Sequence, residues 1–390
     1  MGIYLDNNAT THLDERVRAC IAETMARPVA NASSAHSAGD GTRRLVEQAR
    51  EQVAQLIGGL PERIFFNSGC TEGNNQVLMS AIRGHEPARI VTTAVEHSSV
   101  LKTCEHLESL GHTVVYLPVD GGGCIDLSDL SRALQLPVDL VSVQWTNNET
   151  GVIMPIEEIG ALCRQANVRF HTDAAQAVGK LSMRVSDLPI DFLTLSGHKL
   201  HAPPGIGAVY CAEQVRLTPL LHGGPQEEER RPGTENILGI VGLGAAAAIR
   251  INDLHDYIQH AAQLRDEFEA AVLARIPGTS VNGDRNHRVC NSTNLRFAGT
   301  NGEALVAQLD LHDIFCSQSS ACTNSRPEPS YVLRAMGLNE EEAYDSVRFS
   351  FSAMNTRAEV SETINILDKC CSKLRAFNGT TLEPMEVAHA

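Results

Sequence analysis

The 390 residues are 43% hydrophobic and 20% charged, enough apolar material for a large core and unlike the composition of a disordered chain. At about 150 residues per unit, this length suggests two to three folding units. The balance of 32 lysines and arginines against 47 acids leaves a net charge of −15, which argues against a general nucleic-acid or anionic-membrane binder, because both need a positive field.

In chain order, the first clear element is an amphipathic helix predicted over 42–57, with Leu45, Ala49, Val53, Leu56 and Ile57 on one face and Gly58 as its stop. A short apolar strand at 64–67 follows, and Ser68-Gly69 turns it into a second helix. Apolar runs of strand length recur at 89–93, 113–117, 140–144, 168–171, 192–195 and 206–210, separated by helical pattern or turn residues. Strands alternating with helices predict a mostly parallel sheet covered on both faces. The apolar stretch Ile237 to Ile249 is 13 residues long, short of the about 20 that a membrane helix needs. A charged amphipathic helix over 253–274 reads as a link between two lobes. A smaller α+β unit is expected after it, with strands at 292–297 and 347–351 and helices at 302–309 and 358–377. The run Leu311 to Phe315 reads as a strand leading into Cys316, and the last dozen residues read as a loose tail.

The N-terminus MGIYLDNNATT carries neither the basic nor the apolar segment of a secretory leader. Eleven cysteines without a C-x-x-C pair read as reduced thiols of a cytoplasmic protein, mostly buried as small hydrophobes. Cys370-Cys371 are adjacent on a helix and lack the convergent spacing of a metal site, so no metal is expected. Gly242-Leu243-Gly244 resembles half of a dinucleotide fingerprint but has no strand before it, and small residues of a tightly packed helix account for it better.

In open α/β sheets ligands gather at the carboxyl ends of strands. The polar segments there are Asn67 to Glu72, Val95 to His97, Thr146 to Gly151, His171 to Gln176 and Ser196 to Lys199. Ser68-Gly69-Cys70-Thr71, between strand and helix, suits a phosphate cradle, since a helix N-terminus offers N–H groups and glycine permits close approach. Lys199 follows an apolar strand, and Asp173 ends another one 26 residues earlier. A lysine that forms a Schiff base and a carboxylate that pairs with a pyridinium nitrogen are what pyridoxal phosphate requires. A solvated lysine and an N-capping aspartate would satisfy the same two residues.

The signatures YLDNNATT, SGCTEGNN, VEHSSVL, NNETG, HTDAAQAVGK, SGHK, HGGPQEEERRPGTEN, SSACT and EPSYVLRAMGL…SVRFS resemble, in combination, the class V aminotransferase superfamily. Within it they resemble the group I cysteine desulfurases of the NifS/IscS kind, from Tyr4 to about Phe351. The resemblance implies an aspartate aminotransferase-like architecture of fold type I. It comprises a large cofactor-binding domain over 14–254, a smaller α+β domain made of 1–13 and 255–378, and a tail over 379–390. It implies pyridoxal 5'-phosphate bound to Lys199, with Asp173 on the ring nitrogen and His97 stacked on the ring and moving protons. It gives Asn148 and Gln176 the ring oxygen, and Cys70, Thr71, Ser196 and His198 the phosphate. Thr234 reaches the phosphate of the other subunit in that family, which implies a homodimer. The resemblance also implies that Arg348, a planar two-donor fork, holds the carboxylate of L-cysteine.

Cys322 matches the family's sulfur-accepting nucleophile. Its small polar neighbours Ser319, Ser320, Asn324 and Ser325, with Pro327 and Pro329, suggest a mobile loop that hands persulfide sulfur to an acceptor protein. The implied products are alanine and a Cys322 persulfide, for iron–sulfur assembly or a thiolation pathway. A selenocysteine lyase, and a binding subunit of low turnover in a sulfur-transfer complex, are the alternatives. Three residues depart from the family pattern. Cys70 stands where alanine is usual, His201 replaces a tyrosine, and Gln318 occupies a glycine position.

Overall fold

The computed structural model describes residues 2–82, 87–213, 215–318 and 329–379. The chain opens with β1 (Ile3–Tyr4) and α1 (Glu15–Met25), the latter capped by the Asp14 carboxylate on Arg16 N. The following helix, α2 (Ser37–Ile57), begins before the expected residue 42, because the His36 ring caps it by accepting from Gly39 N. Gly58 ends it in the left-handed region at φ 67°.

There follow β2 (Ile64–Asn67), α3 (Cys70–Met79), β3 (Arg89–Thr93), α4 (Ser98–Ser109), β4 (Thr113–Leu117) and α5 (Leu127–Ala133). Next come β5 (Leu140–Ser142), α6 (Ile156–Gln165), β6 (Arg169–Asp173), β7 (Phe192–Ser196) and β8 (Gly207–Cys211). The strands form a seven-stranded sheet in the order β2-β8-β7-β6-β5-β3-β4. It is parallel throughout except for β8, which runs antiparallel to both β2 and β7. The link from Ser196 to Gly207 is too short for a crossover helix, so the chain must return antiparallel. β2 therefore points the same way as the parallel strands, and the carboxyl ends of β2, β3, β5, β6 and β7 share one edge. Ile57, Ile159, Leu193 and Ile240 bury the helices of one face of the sheet, and Val77, Val100, Phe192 and Val209 those of the other.

The helix expected over 253–274 is instead the second part of one 39-residue helix, α7 (Ile237–Arg275). Asn236 caps it by accepting from Gly239 N at 3.1 Å. Its glycines are where neighbours come closest. A Cβ on Gly244 would stand 2.6 Å from Ala49 Cα, and one on Gly242 2.8 Å from Pro203 Cδ. Close helix packing, not dinucleotide binding, thus explains the Gly-Leu-Gly run. By length and composition α7, with a window of mean hydropathy 1.6, is nevertheless long and apolar enough to cross a membrane. Half of that window is buried inside the protein, where it packs on α1 and α2.

The distal half of α7 enters a second core. Leu264, Phe268 and Val272 pack there with Leu295, Val347, Phe349 and Leu367. The elements of this unit are β9 (Thr279–Asn282), β10 (Ser292–Phe297), α8 (Gly302–Asp310), β11 (Ile314–Phe315), α9 (Tyr331–Ala335), α10 (Glu340–Tyr344), β12 (Ser346–Ser350) and α11 (Arg357–Asn378). An antiparallel sheet β12-β10-β9 is its centre, and β1 pairs parallel with β11. The run from Leu311 is mostly a turn, with Asp313 at φ 57°, and only its end is strand. Cys316 follows that strand and is buried in the second core. The start of the chain is thereby bound to this unit: Ser350 N donates to Leu5 O at 2.7 Å.

Candidate functional site

The strand ends at the common edge, together with Asn8-Ala9 and β12, enclose a cavity of about 310 Å³. Its floor at one side is the turn from β2 to α3. Gly69 adopts φ 143°, and a Cβ on the facing Gly207 would lie 2.6 Å from Gly69 Cα. Backbone thus meets backbone, and the cradle stays open. Gly69 caps α3 without a side-chain hydrogen bond, leaving the first-turn N–H groups and the positive end of the helix dipole for an anion. Cys70, Thr71, Ser196 and His198 line this part of the cavity. Burial, with Lys199 and Lys180 adding to it, pushes the His198 imidazole down to about 4. Burial and the neighbouring Asp173 carboxylate push the Cys70 thiol well up.

Lys199 ends the short turn after β7, and its Nζ donates to Ala9 O at 2.7 Å and to Asn8 O. Asp173 ends β6. Its two oxygens accept from Asn74 Nδ2 at 2.6 Å and from Ala175 N at 3.0 Å, which hold the carboxylate still at the cavity wall. His97 caps α4, its Nδ1 lying 2.8 Å from Ser99 Oγ. The preceding Glu96 is fully buried. It accepts twice from Gln144 N and once from Thr93 Oγ1, and burial drives it up to about 8. The His97 turn is thus tied to Gln144, whose side chain donates to Val95 O at 2.6 Å. The strand expected over 140–144 stops at Ser142, and Gln144 lines the cavity instead.

Gln176 donates from Nε2 to Asn8 O at 2.8 Å and accepts from Lys180 Nζ at 2.6 Å. Asn148 has a buried Oδ1 without a hydrogen-bond partner among the described residues. Arg348, 1% exposed, donates to Asn148 O at 3.0 Å and to Asp6 Oδ1 at 2.6 Å. Its buried Nε has no partner among the described residues.

The structure therefore brings ten of the expected residues to one cavity: Cys70, Thr71, His97, Asn148, Asp173, Gln176, Ser196, His198, Lys199 and Arg348. Thr234 is exposed and is not among the lining residues. Cys322 lies outside the described residues. The described residues flanking it are held at the site. Ser317 pairs backbone to backbone with Arg348, Gln318 donates to Tyr344 O at 2.8 Å, Ser330 Oγ to Glu149 at 2.5 Å, and Tyr331 Oη to Glu96 O at 2.5 Å.

Asn8, Asn74, Asp6 and Lys180 were not foreseen as contributors. Asn74 had a detectable signal, since it lies four residues after Cys70 on the same face of α3. The arrangement fits pyridoxal phosphate. An anion cradle, a lysine amine and a fixed carboxylate converge on one cavity, and Asn148 Oδ1 and Arg348 Nε are orphaned among the described residues.

The profile of the family described as "Aminotransferase class-V" matches residues 3–362. A relative described as "Cysteine desulfurase", from Trichormus azollae, is 44% identical over 377 residues, covering 96% of this chain and 94% of that protein. A solved NifS-like protein from Rickettsia africae superposes with a TM-score of 0.87 at 31% identity, covering 95% of this chain and 100% of that one. The structure described as "SspA in complex with cysteine" superposes with a TM-score of 0.79 at 32% identity, over 91% and 100% of the two chains.

Proposed function

The chain belongs to the class-V aminotransferase family, is a cysteine desulfurase with pyridoxal phosphate as cofactor, and, we propose, works at the cavity described above and delivers the sulfur to Cys322. The observation that carries this reading is the convergence of Lys199, Asp173, His97 and Arg348 on one cavity. When bound, pyridoxal phosphate supplies an aldehyde for an amine and a ring that takes up the electrons released at the substrate Cα.

Lys199 is the amine that holds the cofactor and the group that takes and returns the Cα proton at Nζ. Asp173, locked by Asn74 and Ala175 N, presents a carboxyl oxygen to the ring nitrogen. Cys70, Thr71, Ser196 and His198 hold the phosphate, His198 as a neutral imidazole. Asn148 and Gln176 orient the ring, and His97 covers it. Arg348 offers its unspent Nε edge to the substrate carboxylate. In the transfer the Cys322 thiolate attacks the substrate sulfur. The S–S bond forms as the Cβ–S bond breaks, and the carbon keeps the pair and takes a proton, giving alanine and a persulfide.

The anchors at Ser317–Gln318 and Ser330–Tyr331 support this role for Cys322, since they tether its segment to Arg348 and to the His97 turn. The reading includes a division into 14–254 on one side and 1–13 with 255–378 on the other, supported by the two hydrophobic cores that α7 joins. It also includes a cytoplasmic homodimer in which the exposed Thr234 serves the partner's site, and an acceptor protein for the persulfide. The test is incubation with L-cysteine. Wild type releases one alanine per sulfur transferred, Cys322→Ala keeps the yellow cofactor but forms no persulfide, and Lys199→Ala loses the covalent attachment. Persulfide formation by the Cys322→Ala variant would overturn the assignment.

A further inference from the structure

Lys180 is 2% exposed and lies in the interior beside the cavity, not on its wall. Its Nζ donates to Gln176 Oε1 at 2.6 Å and to Asn8 Oδ1 at 3.4 Å. Among the described residues no carboxylate pairs with it. The titratable and charged groups that face it are Lys199, Arg250, Arg348, His198, His201 and Cys290, nearly all cationic or neutral. A buried amine in such company is costly for stability, and a purely structural contact to Asn8 could be made by an uncharged side chain.

Two consequences follow from the geometry. An ammonium only donates, so the Gln176 oxygen must face Lys180. The Gln176 amide nitrogen is then turned the other way, one N–H on Asn8 O at 2.8 Å and the second left for an acceptor in the cavity that Gln176 lines. Moreover, Lys180 and Lys199 both reach Asn8, one at its side chain and one at its carbonyl. Two amines held against one residue disfavour each other's charge, a known way of activating a nucleophilic lysine.

We infer that Lys180 is a positioning residue for the reaction: it fixes the sense of the Gln176 amide and favours the uncharged, nucleophilic form of Lys199. The inference rests on the reading of Lys199 as the amine that holds the cofactor. Burial, followed by the nearby Lys199, disfavours the charge on Lys180, as expected of two amines held close together.

The test uses cofactor-free protein and competitive labelling of amines with acetic anhydride from pH 6 to 11, with the extent at Lys199 read by peptide mass spectrometry. In wild type the Lys199 midpoint falls at least one unit below the ordinary lysine value of about 10.4. Lys180→Met and Lys180→Gln each raise it by about one unit, a roughly tenfold loss of reactive amine at neutral pH. Lys180→Gln retains a donor for Gln176, so only the electrostatic part moves in it. A wild-type midpoint at the ordinary value, or no rise in the variants, overturns the inference, and the wild-type measurement decides even if a variant fails to fold. A failure of the underlying reading shows separately, as absence of a borohydride-fixed cofactor on Lys199 in the loaded wild type.

Discussion

Asp6→Asn isolates the one carboxylate that, among the described residues, holds Arg348. The pair is 2.6 Å long, and the side chains are 1% and 16% exposed. The substitution keeps an acceptor oxygen for the guanidinium but removes the opposite charge that offsets the cost of burying it. The guanidinium also keeps its bond to Asn148 O at 3.0 Å, so the loss stays below the about 3–5 kcal/mol of a fully broken buried pair. A destabilisation of about 2 kcal/mol is expected. Urea denaturation of cofactor-loaded protein reports it through Trp145, the one tryptophan of the chain, whose backbone N donates to Asp173 O at 2.8 Å beside the cavity. L-alanine, which brings a carboxylate but no sulfur, should then stabilise the variant more than wild type, because it returns the missing anion to Arg348. Equal stabilisation of the two proteins, or an unchanged urea midpoint in the variant, would refute the reasoning.

Acid lability follows from His171, which burial pushes down to about 4. The unfolded chain takes up a proton between about pH 6.5 and 4 that the native state refuses, so this contribution is fully present above 6.5 and is lost as pH falls through the window. His171→Asn should therefore lose up to about 3 kcal/mol less than wild type between pH 6.5 and 4, and parallel melting curves for the two proteins would contradict it. Gly207→Ala places a Cβ 2.5 Å from Leu195 O and 2.6 Å from Gly69 Cα. Overpacking of this kind costs about 1–3 kcal/mol, and because it displaces the phosphate cradle it should weaken cofactor affinity by about tenfold or more by equilibrium titration.

What could be read from the sequence was what burial on both faces writes into it. Runs such as Ile90-Val91 and Phe192-Leu193 are apolar because helices cover both sides of the sheet, and the polar residues that end them then fall at one edge. That reasoning pointed to Asp173, Lys199 and His97, which line the cavity at that edge. The reversed direction of β8 is a property of a connection length, and an apolar run reads the same in either sense. The true start of α7 was hidden because Gly-Leu-Gly-Ala lowers helix propensity, while the close approach of Ala49 and Pro203 is visible only in three dimensions.

The same distinction explains why Asn8 and Lys180 escaped notice. Asn8 accepts from Lys199 and Gln176 through its backbone carbonyl, a group that every residue carries, so residue type is silent about it. Its side chain meanwhile joins Asn291, Ser292 and the backbone of Asn148, distributing one residue over both cores. Lys180 sits at the end of a Gly-Lys pair that composition alone would place in water. The N-terminal segment meets it through Asn8 and is itself bound where Ser350 N donates to Leu5 O and Asn8 N donates to Ser350 Oγ at 2.9 Å. The first residues of the chain thus act at the cavity through their fixed backbone, and a change that loosens β1 from β11 should disturb Lys199 as surely as a change beside it.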